Sequence, residues 1–170
     1  MTLIVEDGSI VSGANTLVSR ADYIAHALTL GVVIPDDDAA DIELLKSMNF
    51  INQHEANLKG ALVERDQSVS YPRTNLVIEG WSWSSDEIPR QAILCQLAFA
   101  LDVHDGIDLW NTPANPELIT KSERVEGAVS VEYAIGSNQT QKLGRSSTGD
   151  ALLASLLNRS GLFSIPLVRA

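Results

Sequence analysis

The sequence predicts a mainly α-helical single domain, a small helical bundle with one β-hairpin and extended N- and C-terminal arms. Three observations predict it. Apolar residues recur at helical spacing in three segments between residues 19 and 101. The period drops to two between residues 119 and 135. Both ends of the chain mix short apolar runs with turn residues and sustain neither period. At 170 residues, 45% hydrophobic and 20% charged, the chain has the size and composition of one globular domain with a real core.

Residues 1–18 read as an arm or short strand followed by a loop, because Leu3-Ile4-Val5 and Ile10-Val11 are separated by Asp7-Gly8 and followed by Gly13-Ala14-Asn15. Residues 19–118 read as the helical core. Ser19 and Asp22 have the spacing of a capping box and open a first helix, with Tyr23, Ile24, Ala27 and Leu28 as its inward stripe and Gly31 as its end. Asp36, Asp37 and Asp38 stand at the start of a second helix, where carboxylates satisfy free amides and oppose the helix dipole. Ile42, Leu45, Met48 and Asn52 form one row on it and Leu44, Met48, Ile51 and Leu58 another, which carries the helix to about Lys59 before Gly60.

Residues 61–84 read as an irregular loop containing Trp81 and Trp83. A third helix starts near Ser85 or Asp86, tolerates Pro89 in its first turn, and ends around Gly106. Its stripes, Ile88-Ala92-Cys95-Phe99 and Leu94-Ala98-Leu101, leave it apolar on most sides and place it centrally. Val125, Val129, Val131, Tyr133 and Ile135 share strand parity, so residues 119–135 are expected to form the hairpin. Residues 136–170 read as a turn-rich connection, a short helix capped by Asp150, and a docking tail of Leu162-Phe163-Ser164-Ile165-Pro166-Leu167-Val168. Pro166 forbids a helix there, and so many apolar groups are costly in water. The tail therefore folds back on its own core or docks on a neighbour.

Net charge is −10, unevenly placed. Residues 1–66 hold 11 acids and 4 bases, whereas residues 139–170 hold one acid against Lys142, Arg145, Arg159 and Arg169. An acidic body argues against a broad phosphate-binding surface, which needs clustered cations. A basic end on an acidic body instead suits contact with protein, or carries no partner meaning at all.

Motifs for chemistry are sparse. Cys95 is the single cysteine, so an intrachain disulfide and a cysteine zinc site are both excluded. In an apolar stripe its thiol is expected to be buried and inert. His26, His54 and His104 have no ligand spacing among them. His104 near Asp102, Asp105 and Asp108 reads as a polar helix end rather than a cation site, and the Asp36–Asp38 run as a cap. No phosphate loop, dinucleotide fingerprint or Gly-x-Ser-x-Gly elbow occurs. No catalytic, cofactor-binding or metal-binding residue is singled out, and the expectation is a protein that is not an enzyme and carries no cofactor. No stretch of eighteen apolar residues occurs, and Glu6-Asp7 interrupts any leader-like start, so neither a membrane span nor export is expected. Asn138-Gln139-Thr140 reads as a chance sequon.

Single-stranded DNA binding is the rival class. Tyr71, Trp81 and Trp83 beside Arg73 and Arg90 offer a small aromatic and basic platform. The plainer reading, that the tryptophans pack the loop onto the helices, is favoured by the scarcity of aromatics and the surrounding negative charge.

One resemblance joins several of these features. Tyr71-Pro72-Arg73, Gly80 and Ser85-Asp86-Glu87-Ile88-Pro89-Arg90 precede the helix of Ala92, Cys95 and Ala98. Leu3-Ile4-Val5-Glu6-Asp7-Gly8 and Ser19 with Ala21-Asp22 come before them, and Ser122-Glu123-Arg124-Val125 with Val129, Val131, Glu132 and Tyr133 after. In this order they resemble the head–tail connector (adaptor, head-completion) proteins of tailed phages, some of which carry the label DnaT-like single-stranded DNA-binding. Tyr71 stands where that family usually has tryptophan.

The resemblance implies a virion structural protein. It would form a ring, of twelve subunits, beneath the portal, joining it to a tail-side connector or tail terminator protein in the neck after assembly in the host cytoplasm. Duplex DNA would pass through the ring without specific binding. On that reading Asp36, Asp37, Asp38, Asp41 and Glu43 are candidate channel-facing residues, since an acidic lumen does not retard DNA. Candidate protein interfaces are Trp81 and Trp83, the hairpin residues Val129, Val131 and Tyr133, and the tail residues Leu162, Phe163, Ile165, Leu167, Val168 and Arg169.

Overall fold

The computed structural model describes residues 2–110 and 147–158. Helix α1 spans Arg20–Thr29, α2 Asp37–Asn52, α3 Arg90–His104 and α4 Ser147–Leu156. Between α2 and α3 lie a 3₁₀ turn, Glu55–Asn57, and four short strands: β1 (Ala61–Leu62), β2 (Arg73–Thr74), β3 (Leu76–Ile78) and β4 (Trp81–Trp83). The strands form two separate antiparallel ladders, β1 with β2 and β3 with β4. Among the described residues the architecture is thus a small mixed domain of four helices and two minimal sheets, less purely helical than the bundle expected.

The helix starts follow local chemistry. Ser19 caps α1 by accepting from the Asp22 amide, as its spacing predicts, and its hydroxyl, in place of the Ser19 amide of a full box, donates to the Asp22 carboxylate at 2.6 Å. Asp36 caps α2 through the Asp38 amide, with Asp37 and Asp38 in the first turn. Helix α3 begins at Arg90, not near Ser85 or Asp86: residues 84–87 close a turn of their own, and Pro89, extended and just outside the helix, disfavours helical backbone at Ile88 before it. Gly31 and Gly106, both with positive φ, follow the ends of α1 and α3.

Helix α3 is the central element, packed between α2 and α4, with Ala92, Cys95, Leu97, Phe99 and Ala100 buried. Phe99 meets Phe50 of α2 edge to face, with ring centroids 4.9 Å apart. On its other side Phe99 meets Gly149 of α4, where an added Cβ would come within 2.7 Å of the ring. Gly149 is therefore the residue that lets α4 lie this close. The end of α4 is tied to the turn after α2, since the Lys59 amide donates to the Leu156 carbonyl at 2.9 Å and the Asn158 amide to the Asn57 carbonyl at 2.8 Å.

The N-terminal arm does not project as expected but doubles back on itself and packs on the core. Val5 bridges Thr16, and Ala14, Leu17 and Val18 are buried. The buried Glu6 carboxylate accepts from the amides of Gly8, Ile10 and Val11 at 2.8–2.9 Å, which shapes the turn. Gly8, at φ +105, lies against the Asp86 carbonyl where no side chain fits. Gln96 of α3 fastens the arm, donating to Thr16 and the Leu44 carbonyl and accepting from the Leu17 amide.

Several other expectations change. Helix α2 stops at Asn52, not near Lys59, because the chain tightens into the 3₁₀ turn and thereby swings Leu58 into the core. Leu28 is 64% exposed and Ile42 46% exposed, each on the outer edge of its stripe. Residues 61–84 are not a structureless loop. β3 and β4 form a hairpin, Leu76 opposite Trp83 and Ile78 opposite Trp81, closed by Glu79-Gly80 with positive φ at both positions. Asp150 lies inside α4 rather than capping it, since the helix already begins at Ser147. The hairpin expected over 119–135 and the tail from 162 lie outside the described residues.

Candidate functional site

Tyr71-Pro72-Arg73, the motif that stood out in sequence, is a structural knot. Arg73 is 4% exposed, and its guanidinium donates only to carbonyl oxygens: Lys59 at 2.8 Å, Ser70 at 3.1 Å and Gly60 at 3.2 Å, with longer contacts to Glu55 and Leu58. It gathers the turn after α2 around one cation, and burial lowers its pKa. Tyr71 is fully buried, its hydroxyl has no hydrogen-bond partner among the described residues, and burial drives its pKa upward. The platform of Tyr71, Trp81, Trp83, Arg73 and Arg90 is therefore not assembled: Tyr71 and Arg73 face inward, and only Trp81 and Arg90 are exposed.

The β3–β4 hairpin presents the most prominent aromatic. Trp81, beside the tight turn, is 77% exposed, and Val77 on the neighbouring strand 48%. Trp83 lies at the other end of β4, half-buried against the core, with an indole N–H that finds no acceptor among the described residues. Beside it opens a cleft of about 500 Å³, lined by Val5, Leu17, Trp83, Ile88 and Ile93 with Glu6, Asp7, Asp86 and Glu87. The rim acids Asp7, Asp86 and Glu87 are exposed. Hydrogen bonds from Ser9 and Ser84 hold the Asp7 and Asp86 pKa values below the ordinary carboxylate range, so both are ionised at neutral pH. Periodicity did not mark this cleft, because its walls come from the N-terminal arm, β4 and α3.

The five acids expected to face a channel divide into two groups. Asp36, Asp37 and Asp38 are exposed at the start of α2. Asp41 and Glu43 are not available to a lumen, because both point into the domain. The Asp41 carboxylate takes both arms of Arg20 at 2.7 Å, which joins α1 to α2, and Asp37 adds a third contact at 3.1 Å. Glu43 accepts from the Tyr23 hydroxyl at 2.7 Å and pairs with His104 Nδ1 at 2.9 Å, linking α1, α2 and α3. Two donors satisfy this buried carboxylate, an arrangement in which Nδ1 carries the proton.

Of the other histidines, His54 lies edge-on to Phe50. Among the described residues no group of three or more His, Cys, Asp and Glu side chains is placed to hold a metal ion. Burial pushes the Cys95 thiol up to about 12. No described helix is long and apolar enough to cross a membrane.

A second exposed apolar cluster escaped the sequence reading. Leu28, Leu30 and Val33, exposed by 64%, 59% and 70%, surround the turn between α1 and α2. The signal was the unbroken apolar run Val32-Val33-Ile34 after Gly31, which reads equally as buried linker. Val129, Val131, Tyr133, Leu162, Phe163, Ile165, Leu167, Val168 and Arg169 lie outside the described residues.

Fold and surface together define a small mixed domain whose exposed features, among the described residues, are an aromatic hairpin, an apolar patch at the turn between α1 and α2, and many carboxylates. Over residues 1–170 the chain matches the family described as "Putative DnaT-like ssDNA binding protein", and it belongs to that family. None of the curated proteins and none of the solved structures compared with it matches.

Proposed function

We propose that this protein is a non-enzymatic assembly protein, the adaptor ring that joins the portal vertex of a tailed-phage head to the tail and continues the DNA channel. One observation carries the reading. Among the described residues twelve acidic side chains are exposed against three basic ones, Lys46, Arg65 and Arg90, which sit on three different segments. A surface so acidic repels phosphate, as suits a wall past which DNA must slide, and among the described residues no cationic track is placed to hold a strand. Trp81 with Val77, and Leu28 with Leu30 and Val33, supply the apolar contacts that subunits and a portal would cover. The partners on this reading are sister copies, the portal protein and a tail-side connector or terminator, in the neck of the virion. The channel-facing acids are then Asp36, Asp37 and Asp38.

The family description favours a second reading, a single-stranded DNA-binding accessory protein, more directly than it favours the first. The exposed Trp81 and Arg90 support it as a minimal stacking site. Two measurements separate them. Negative-stain images of the protein mixed with portal rings should show added ring density on the portal, and unchanged portals would sink the adaptor reading. Titration with oligo-dT should show no tight binding at physiological salt. A salt-dependent complex abolished by Trp81→Ala with Trp83→Ala would install the second reading in its place.

A further inference from the structure

We propose that the cleft beside Trp83 is a docking site for a partner protein, which enters it with a short segment of large apolar side chains flanked by arginine or lysine. This goes beyond the adaptor reading and does not depend on it. Three parts of the chain build the walls: Val5 and Leu17 come from the N-terminal arm, Trp83 from β4, and Ile88 and Ile93 from the approach to α3 and its first turn. Leu17 is buried, and the other four keep part of their surface in water. The volume of about 500 Å³ lies within the roughly 300–1,000 Å³ of clefts that hold ligands. Covering these walls removes apolar surface from water only if the side chains that enter are themselves large and apolar.

The rim decides the charge of the occupant. Gly8 packs against the Asp86 carbonyl, and this contact brings Asp7 of the arm to the turn that carries Asp86 and Glu87. All three carboxylates are exposed. Ser9 and Ser84 donate to them, and no ion pair engages them among the described residues. Asp7 and Asp86 are ionised at neutral pH. Like charges gathered on one rim repel, and cations laid across them relieve the repulsion. Among the described residues no such group is placed to close on a metal ion, so the cations that suit this rim are side chains, each meeting its own carboxylate. A phosphate strand or an acidic segment is turned away by the same charges. A second copy of this chain is a poorer match than a basic partner, because its described surface exposes twelve acids against three cations.

The test is isothermal titration calorimetry of the full chain with three amidated peptides: Arg-Leu-Phe-Leu-Arg, Glu-Leu-Phe-Leu-Glu and Arg-Ser-Ser-Ser-Arg. The first should bind with a Kd of about 100 μM or tighter at low salt, and at least about tenfold more tightly than either of the others. Asp86→Asn with Glu87→Gln retains acceptors for Ser84 and should weaken that binding about fivefold or more. Glu64→Gln with Asp66→Asn removes the same charge from the exposed segment between β1 and β2 and should change it by less than about twofold. Circular dichroism checks the fold, and Asp7→Asn replaces the first pair if that variant unfolds. No binding of the first peptide by the parent overturns the proposal. Equal weakening by both pairs also overturns it, since the attraction would then be to the acidic body at large. Equal binding of the serine or the glutamate peptide does the same, by removing the apolar walls or the rim from the recognition. Self-association of the parent that the Asp86, Glu87 variant abolishes overturns it as well, by assigning the cleft to a second copy. No portal enters the assay, so failure here leaves the adaptor reading standing.

Discussion

Arg73 shows how a single buried cation can organise a turn through backbone carbonyls, with no ion pair among the described residues. Its planar fork meets carbonyls from Lys59, Gly60 and Ser70, geometry that an ammonium group cannot copy. Arg73→Lys should therefore destabilise the protein by about 2–4 kcal/mol, as several buried carbonyls lose their donors, read as a lower urea midpoint at unchanged slope. Cys95 and the two buried tyrosines, Tyr23 and Tyr71, bear on alkaline stability. Each has its pKa raised chiefly by burial, the thiol from 9.0 to about 12. A raised folded pKa means that the unfolded chain releases its proton first. Stability is therefore intact below about pH 9 and falls as pH climbs toward 12, more steeply once the tyrosines ionise in the unfolded chain. Urea unfolding at pH 8 and pH 10.5 measures this fall, and Cys95→Ala should make it shallower by up to one proton. At pH 8 the native thiol should react with a disulfide reagent at least about 100-fold more slowly than the unfolded one.

At the scale of elements, the contact between α3 and α4 depends on the absence of one methyl group. Gly149→Ala would place a carbon 2.7 Å from the Phe99 ring, which is too close for the ring to stay where Phe50 holds it. The expected cost is about 1–3 kcal/mol from overpacking. Double substitution with Phe99→Leu should recover part of it, and thermal unfolding of the two variants makes the comparison. The β3–β4 hairpin was legible in principle: Leu76-Val77-Ile78 and Trp81-Ser82-Trp83 are two β-rich runs separated by two residues. It was missed because Glu79-Gly80 is a weaker turn signal than Asn-Gly or Asp-Gly, and three-residue strands scarcely establish a period. The caps of α1 and α2 were legible because a cap needs only residues within one turn of it.

For the whole molecule, the distribution of charge and exposed apolar groups bears on assembly. Trp81 is exposed and contributes little to the core, so Trp81→Ala should leave the melting temperature within about 1 °C of the parent, as surface changes do. If the hairpin is an interface anchor, the same change should weaken portal binding by about tenfold or more in a pull-down titration. Equal binding by parent and variant would remove the hairpin from the interface and leave the Leu28, Leu30 and Val33 patch to carry it. Acidity of the body was plain from residue counts, but its placement was not. Asp41 and Glu43 count as negative charge in the sequence, yet in the fold they are held by Arg20, and by Tyr23 and His104.

By itself the sequence determined where α1 and α2 begin, that Ala92, Cys95 and Phe99 of α3 face the core, and that the body is acidic. Each of these depends on residues within a turn or two of one another, or on composition. Tertiary structure alone decided that α2 stops at Asn52, that the N-terminal arm folds back, that Arg73 is structural, and that apolar walls and acidic rim meet beside Trp83. Those outcomes depend on partners far apart in the chain: Gln96 with Leu17, Lys59 with Leu156, Gly8 with Asp86. A local pattern reports which face of an element is apolar, but the group that satisfies a buried amide, carboxylate or guanidinium is chosen only when distant segments close on one another.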